Sequence, residues 1–226
     1  MFQLSLPKDE LQTYVAHQLN QFFPDNRLSG EEALFARSVD QALERAEYCF
    51  SHVALPAYHR DHVTLFSHLH ADQYTVFLWF LSNSVWKLFE DDAIASKLFC
   101  LNKALNGIMC MYDAGMPDIF LILHGCGTVL GKASYSNYFV CCHNCTVGAV
   151  HGIYPVLSRG VAMAPNATVV GNCTVGSCST IGTHALLRNR DLPGNTLYYR
   201  DADTGVAMTK PVESSWAQSY YNVPIL

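Results

Sequence analysis

The sequence predicts an α+β protein, with an N-terminal helical domain followed by a solenoid of short parallel strands. The first half has helical periodicity, whereas the second half has a strict repeat. Every sixth residue from 157 to 187 is apolar: Leu157, Met163, Val169, Val175, Ile181 and Leu187. A period of six fits the two-residue alternation of extended chain and does not fit the 3.6-residue turn of a helix.

Small side chains at fixed places support the solenoid. Four positions after each of the first five apolar residues stands a compact one: Val161, Ala167, Cys173, Ser179 and Ala185. This pattern is typical of a hexapeptide β-helix, in which each rung buries its apolar side chain against the next rung. We expect the repeat to begin near Ile119 and to end near Arg190. Residues 149–156 interrupt it and are predicted to form a loop ejected from one rung.

Four helices are predicted before the repeat. The first runs from Leu4 to Phe23, and a capping box at residues 29–32 (SGEE) opens a second helix through about Phe50. Further helical patterns cover residues 62–89 and 91–111. The predicted domains are a helical domain at 1–115, a β-helix at 116–191 and an irregular tail at 192–226.

Composition limits the possible partners. The chain has 226 residues, of which 50% are hydrophobic and 15% charged, which is typical of a globular protein with a substantial core. The net charge is −5 and no Lys/Arg cluster is present, which argues against nucleic acid or an anionic membrane as partner. The N-terminus lacks a signal pattern, and the apolar stretch at 76–86 is too short to span a bilayer. We therefore expect a cytoplasmic protein without a membrane partner.

The nine cysteines are predicted to be reduced thiols, because their number is odd and no secretion signal is present. Cys142 and Cys145 form a CxxC motif with His143 between them. A structural zinc site usually needs a second pair of ligands, and none is clear in the sequence. We expect no metal. Since a short solenoid leaves open ends and an apolar flank, we do expect self-association.

Several segments between residues 60 and 190 resemble one enzyme family. They are residues 123–131 (LHGCGTVLG), 146–149 (TVGA) and 160–182, together with Arg60-Asp61 and residues 70–73 (HADQ). The segments are similar to those of the serine acetyltransferases, which are hexapeptide-repeat acyltransferases. The resemblance implies a left-handed parallel β-helix with three hexads per coil. It also implies acyl transfer from coenzyme A at clefts between the subunits of a trimer.

Three departures from the family pattern bear on the acceptor. Leu123 replaces the aspartate before the family's catalytic histidine, and Ile153-Tyr154-Pro155 replaces Arg-His-Pro. The C-terminal Gly-x-Pro-Ala-Lys is absent. Losing the arginine removes the obvious partner for a substrate carboxylate. A sugar or another amino-alcohol therefore competes with serine as the predicted acceptor.

His124 is the favoured catalytic base among the ten histidines. Acyl transfer from a thioester needs a base with a pKa near neutrality, and Gly125 would let a ligand approach the backbone after His124. The resemblance identifies His124 with the family's catalytic histidine; a packed structural histidine is the alternative, and His143 or His151 could serve instead.

An acidic residue is expected to orient the base. Asp113 and Asp118 lie 11 and 6 residues before His124, whereas the resemblance implies a spacing of about 15. We favour Asp113, at the junction between the domains, although a role in the turn explains it equally well.

The resemblance also proposes residues for the acceptor and the donor. Asp61, Tyr154 and His151 are candidates to contact the acceptor, although a surface ion pair at Asp61 and a packed Tyr154 are the alternatives. Acetyl-CoA is the expected donor. Its candidate contacts share small size or a place at the solenoid's end: Gly148, Ala149, Ala164, Pro165, Thr183 and Arg188, with Arg190 as the alternative to Arg188.

Three functions are compatible with these features. The first is an acetyl-CoA-dependent O-acetyltransferase similar to serine acetyltransferase. The second is an O- or N-acyltransferase acting on a sugar of a surface polysaccharide, and the third is a non-catalytic trimeric scaffold. The expected partners are coenzyme A, a small acceptor, and further copies of the chain in a homotrimer or a dimer of trimers.

Overall fold

A helical region is followed by a parallel β-solenoid, which confirms the predicted fold class. The computed structural model describes residues 1–25 and 30–225; Ser29 of the predicted capping box lies outside them. The helices are α1 (Lys8–Phe22), α2 (Glu32–Ser51), α3 (Ala71–Phe89) and α4 (Asp92–Asn106). Helix α3 packs between α2 and α4 and is buried along most of its length. None of the helices in the described part of the chain is long and apolar enough to cross a membrane.

A small sheet in the helical region differs from the prediction. Its strands are β1 (Phe2–Leu4), β2 (His59–Arg60) and β3 (Val63–Phe66), in the order β1-β3-β2. The helix predicted over 62–89 therefore begins only at Ala71. Residues 63–66 alternate between half-buried and buried side chains, which is a strand pattern.

The fourth helix is shorter than predicted. It ends at Asn106 because Gly107 adopts a left-handed conformation with a φ of 67° and caps the helix. Residues 109–110 already belong to the solenoid, which thus begins earlier than the expected residue 116.

The solenoid has three faces of stacked parallel strands. Its strands are β4 (Met109–Cys110), β5 (Phe120–Ile122), β6 (Val129–Leu130), β7 (Ser134–Tyr135), β8 (Phe139–Cys141), β9 (Thr146–Gly148), β10 (Val156–Leu157), β11 (Ala162–Met163), β12 (Thr168–Val170), β13 (Thr174–Val175), β14 (Thr180–Ile181), β15 (Leu186–Arg188) and β16 (Thr196–Arg200). We call β4, β6, β9, β12 and β15 the open face, β5, β8, β11, β14 and β16 the covered face, and β7, β10 and β13 the narrow face.

The six-residue repeat stacks as predicted. Met163 pairs in register with Cys141 below it and Ile181 above it, and Leu157 pairs with Val175. All six residues of the apolar series have an exposed fraction of 0%, and the five compact residues are buried as well. The repeat therefore forms the solenoid core.

The faces differ in what their outward side chains meet. On the covered face, Leu121, Val140 and Ala162 are fully buried. On the open face, Met109, Val129 and Leu186 are 37–48% exposed. The narrow face presents Ser134, Val156 and Thr174, all exposed. Only the open face thus combines five strands with exposed large apolar side chains.

The tail predicted to be irregular is ordered. Strand β16 adds a rung to the covered face, and β17 (Ala207–Pro211) pairs antiparallel with it. A 3-10 helix at Trp216–Tyr220 then leads back towards the helices. The hydroxyl of Tyr221 donates to the carbonyl of Phe139 at 2.9 Å, and the backbone N–H of Asn222 donates to the carbonyl of His52 at 3.0 Å. The tail therefore ties the solenoid to the helical region.

Candidate active site

His124 lies in a turn that is longer than its counterparts. The turn joins the covered face to the open face, and we call it the His124 turn (residues 123–128). Seven positions separate Ile122 from Val129, whereas five separate their register partners Cys141 and Thr146. The two extra residues place His124 outside the stack, with a φ of 54° and a side chain that is 83% exposed. This exposure argues against a packed structural histidine.

A buried carboxylate from the helical region faces this turn. Asp72 is the second residue of α3 and is 8% exposed. Its Oδ1 accepts the backbone N–H of His124 at 2.8 Å, and its Oδ2 lies 3.7 Å from the ring Nδ1. The positive end of the α3 dipole favours a negative charge at this position. The site thus holds an exposed imidazole with a carboxylate behind it.

Asp113, the expected orienting residue, lies elsewhere. Its Oδ2 is 2.7 Å from Nζ of Lys132, and its hydrogen bond raises the lysine pKa. Lys132 follows β6, so the pair stands at the opposite edge of the open face from His124. The structure therefore brings Asp72, and not Asp113, to the histidine. Asp118 is exposed in a pocket with Arg45.

Sequence reasoning missed Asp72 as a partner of His124. The residue lies in the HADQ segment that resembles the family, but 52 positions separate it from His124. No sequence periodicity or spacing indicates that a residue at the start of α3 will contact a residue in a solenoid turn. The resemblance was the signal that pointed to this segment, without indicating its partner.

The predicted loop between β9 and β10 is present. Nine positions separate Val147 from Val156, compared with four between their register partners Leu130 and Ser134. The inserted segment (residues 149–155) is ejected from the rung, as the broken repeat predicts.

Two acceptor candidates lie in this loop. Val150 and Ile153 exchange two backbone hydrogen bonds of 3.1 Å, which leaves His151 exposed at the tip. Tyr154 is 44% exposed, and its interaction with Lys132 raises the lysine pKa further. The loop is at the edge of the open face away from His124. One chain therefore does not bring His151 or Tyr154 to His124.

Two further candidates, Asp61 for contact with the acceptor and His143 as an alternative base, lie outside the His124 turn. Asp61 is exposed in the turn between β2 and β3, with a φ of 49°. Among the described residues, no hydrogen bond or ion pair links Asp61 to His124. His143 is half-buried in the turn one rung from the His124 turn.

The donor candidates divide between the two edges of the open face. Ala164 and Pro165 follow β11, and Thr183 follows β14, so these three share the edge that carries His124. Strands in a sheet are spaced by about 4.8 Å, which puts Thr183 three rungs, or about 14 Å, along the edge. Gly148 and Arg188 lie towards the other edge, and Ala149 begins the loop there.

Both thiols of the CxxC motif are buried. Burial raises the pKa of Cys142 to about 11, and Sγ of Cys145 lies 3.2 Å from the carbonyl oxygen of Ala164. In residues 1–25 and 30–225, no group of three or more His, Cys, Asp and Glu side chains is arranged to hold a metal ion. Packing accounts for both thiols.

Solved structures with the same fold include serine acetyltransferases. The enzyme from Neisseria gonorrhoeae matches 93% of this chain and 80% of its own at 18% identity, with a TM-score of 0.67. The soybean apoenzyme matches 79% of this chain and 74% of its own at 19% identity, with a TM-score of 0.62. A serine acetyltransferase in complex with CoA matches 86% of this chain and 73% of its own at 15% identity, with a TM-score of 0.55.

No protein-family model matches the chain, and no curated protein matches its sequence. At 15–19% identity the likeness concerns architecture. It extends over the helical region as well as the solenoid, since most of both chains is covered. The chain therefore has the serine acetyltransferase fold, a helical region followed by a left-handed parallel β-helix.

Proposed function

We propose that the protein is an acetyl-CoA-dependent O-acetyltransferase of the cytoplasm, similar to serine acetyltransferase, with His124 as its general base. The observation that carries the proposal is the exposed imidazole of His124 on a solenoid turn, with the buried carboxylate of Asp72 from α3 beside it. Nε2 takes the proton of the acceptor hydroxyl as its oxygen attacks the thioester carbon. The C–S bond breaks, and the proton passes to the departing thiolate of coenzyme A.

The donor is proposed to lie along the edge that carries His124. Small residues there leave room for the extended pantetheine arm, and Ala164, Pro165 and Thr183 would contact it. A serine acetyltransferase of the same fold in complex with CoA supports a coenzyme site on this architecture. Gly148, Ala149 and Arg188 would contact the donor from the other edge of an open face, with Arg188 near its phosphates.

A homotrimer that packs through the open faces would complete the site. Within one chain, His124 and the loop stand at opposite edges of the open face. Packing one open face near the next would bring the loop of one protomer to the His124 turn of its neighbour. The exposed Met109, Val129 and Leu186 supply the apolar surface for this contact. Two such trimers could pair through the helical regions.

The proposed acceptor is serine or a similar amino-alcohol, held by Asp61, Tyr154 and His151. A sugar is the second candidate, because Ile153 and Tyr154 are exposed where the family pattern has arginine and histidine. Acetyl is the proposed acyl group on the basis of the resemblance.

Thiol release from acetyl-CoA, measured across serine, homoserine, amino-sugars and hydroxy-sugars, tests the proposal. We expect turnover with at least one acceptor, and His124→Asn to lower it by about 10² or more while the melting temperature is retained. His17→Asn is the control, since His17 is exposed in α1 away from the site. Absence of turnover of acetyl-CoA with every acceptor would favour the non-catalytic scaffold. Full activity of His124→Asn would refute the role of His124 as the base.

A further inference from the structure

The carboxylate of Asp72 stands in a position to select the tautomer of His124. We propose that Asp72 is a positioning residue: it accepts the Nδ1–H of His124 and leaves Nε2 unprotonated at the solvent-facing side of the ring. The helical region would then supply in cis a part of the site that the solenoid turn lacks. The catalytic consequence rests on the proposed function, whereas the tautomer does not.

One carboxylate contacts both the backbone and the ring of His124. The 2.8 Å bond from the backbone N–H to Oδ1 stabilises a left-handed conformation that is unfavourable for a residue with a side chain. Oδ2 is then 3.7 Å from Nδ1, slightly beyond hydrogen-bond length. Such contacts commonly shorten when a substrate binds, and a small rotation of the exposed ring would close this one.

The backbone at Asp72 is fixed at the start of α3. Its neighbour Gln73 donates from Nε2 to the carbonyl of Ala57 at 3.0 Å and accepts the backbone N–H of Ser67 at 2.7 Å. Asp72 itself is 8% exposed, so its side chain has little room to turn away from His124. A fixed acceptor is what orients a histidine ring.

No other acidic side chain competes for the ring. Among the described residues, Asp72 is the only carboxylate within 4.0 Å of a ring nitrogen of His124. Asp113 is engaged by Lys132 at the far edge of the open face. The tautomer therefore depends on a single residue of α3.

Nitrogen NMR of the His124 ring at mildly alkaline pH, on the full chain, tests the inference. We expect the Nδ1–H tautomer in the wild-type protein. In Asp72→Asn the amide oxygen can still accept the backbone N–H, but its NH₂ group would donate to Nδ1 and convert the ring to the Nε2–H tautomer. Because Nε2 is then protonated, kcat/KM should fall by about 10² or more while the melting temperature stays near the wild-type value.

Asp9→Asn is the matched control. Asp9 is also the second residue of its helix, α1, but is exposed, so this change removes only a helix-terminal charge. It should leave both tautomer and rate unchanged. An Nε2–H tautomer in the wild-type protein would overturn the inference even if Asp72→Asn failed to fold, and so would an unchanged tautomer in Asp72→Asn. The two proposals can fail separately. If the tautomers are as expected but the protein transfers no acetyl group, the positioning by Asp72 is supported and the proposed function is refuted.

Discussion

The rung stacked on a glycine of the solenoid determines whether a larger residue fits there. A Cβ at Gly176 would lie 2.3 Å from the backbone N of Gly194 and 2.7 Å from the carbonyl carbon of Pro193. These are main-chain atoms and cannot rotate away. A Cβ at Gly148 would meet only a methyl group of Val170, at an ordinary 3.8 Å. Two glycines in the same solenoid therefore have different tolerances.

Gly176→Ala is expected to destabilise the protein by about 1–3 kcal/mol, because the neighbouring rung must shift. For a chain of this length each kcal/mol lowers the melting temperature by about 2–4 °C. Gly148→Ala, the control, should melt within about 1 °C of the wild type. Thermal unfolding followed by circular dichroism measures both. Equal melting temperatures for the two variants would contradict the stacking geometry.

The sequence predicted one half of the His124–Asp72 pair. His124 could be singled out because the glycines after it and the resemblance both point to its turn. Asp72 could not, since its place depends on how the start of α3 docks against the solenoid. Asp113 has the more plausible spacing along the chain, but the coil carries it to the opposite edge. Spacing along a sequence does not specify which edge of a coil a residue reaches.

At the scale of elements, helix α4 depends on a side chain just outside it. Asp91 is the N-cap, and its Oδ1 accepts the backbone N–H groups of Ala93 and Ile94, both at 2.9 Å. These donors have no partner within the helix. The cap also determines where α4 begins after the left-handed residue Glu90 that ends α3.

Asp91→Ala should lower the free energy of unfolding by about 1 kcal/mol, because two amide donors lose their acceptor. Asp92→Ala removes a carboxylate from the same turn without removing the cap, and should cost about 0.5 kcal/mol or less. Urea denaturation compares the two variants. A larger loss for Asp92→Ala would show that charge, and not capping, stabilises this helix start.

Elements with a long repeat were predictable, and isolated short ones were not. The solenoid strands average only two or three residues, yet their shared period made them visible. Strand β3 has only four residues, which alternate between half-buried and buried side chains, and this pattern is too short to distinguish from the adjoining helical pattern. One irregular interval hides the last rung: only five positions separate Leu187 from Leu192, the bridge partner of Val175. The six-residue spacing then resumes, because Tyr198 of β16 pairs in register with Ile181 and lies six positions after Leu192.

At the scale of the whole molecule, the open face is the proposed surface of self-association. Val129 of this face is 37% exposed and lies in register with Met109 on one side and Thr146 on the other. Val129→Glu would place a charge in each contact between protomers. We expect light scattering to show a trimer for the wild type and a monomer for Val129→Glu.

Thr174→Glu is the control for this change. Thr174 is an exposed residue of the narrow face, so the same charge there should leave the trimer mass unchanged. A monomeric wild-type protein, or a trimeric Val129→Glu protein, would exclude the open face as the interface. Dissociation by Thr174→Glu alone would assign the contact to the narrow face.

Buried thiols make the stability of the whole molecule depend on pH in the alkaline range. Burial raises the pKa of Cys49 from 9.0 to about 12, and also raises the pKa of Cys110 and Cys141. The unfolded chain releases these protons above pH 9.0, whereas the folded chain retains them. The stabilisation that the protonated Cys49 thiol contributes to the folded state is therefore fully present below pH 9.0 and is lost as pH rises towards about 12.

Each such thiol should reduce the free energy of unfolding by up to about 1.4 kcal/mol per pH unit above pH 9.0. Cys49→Ser retains a donor for the carbonyl of Phe120, which Sγ contacts at 3.3 Å, but does not ionise in this range. The free energy of unfolding of Cys49→Ser should thus fall less steeply with pH than that of the wild type. The difference in slope should be about that of one ionising group, or about 1.4 kcal/mol per pH unit. Cys100→Ser, at an exposed position of α4, should fall in parallel with the wild type. Urea unfolding at several alkaline pH values measures these slopes, and a Cys49→Ser curve parallel to the other two would show that this thiol does not contribute.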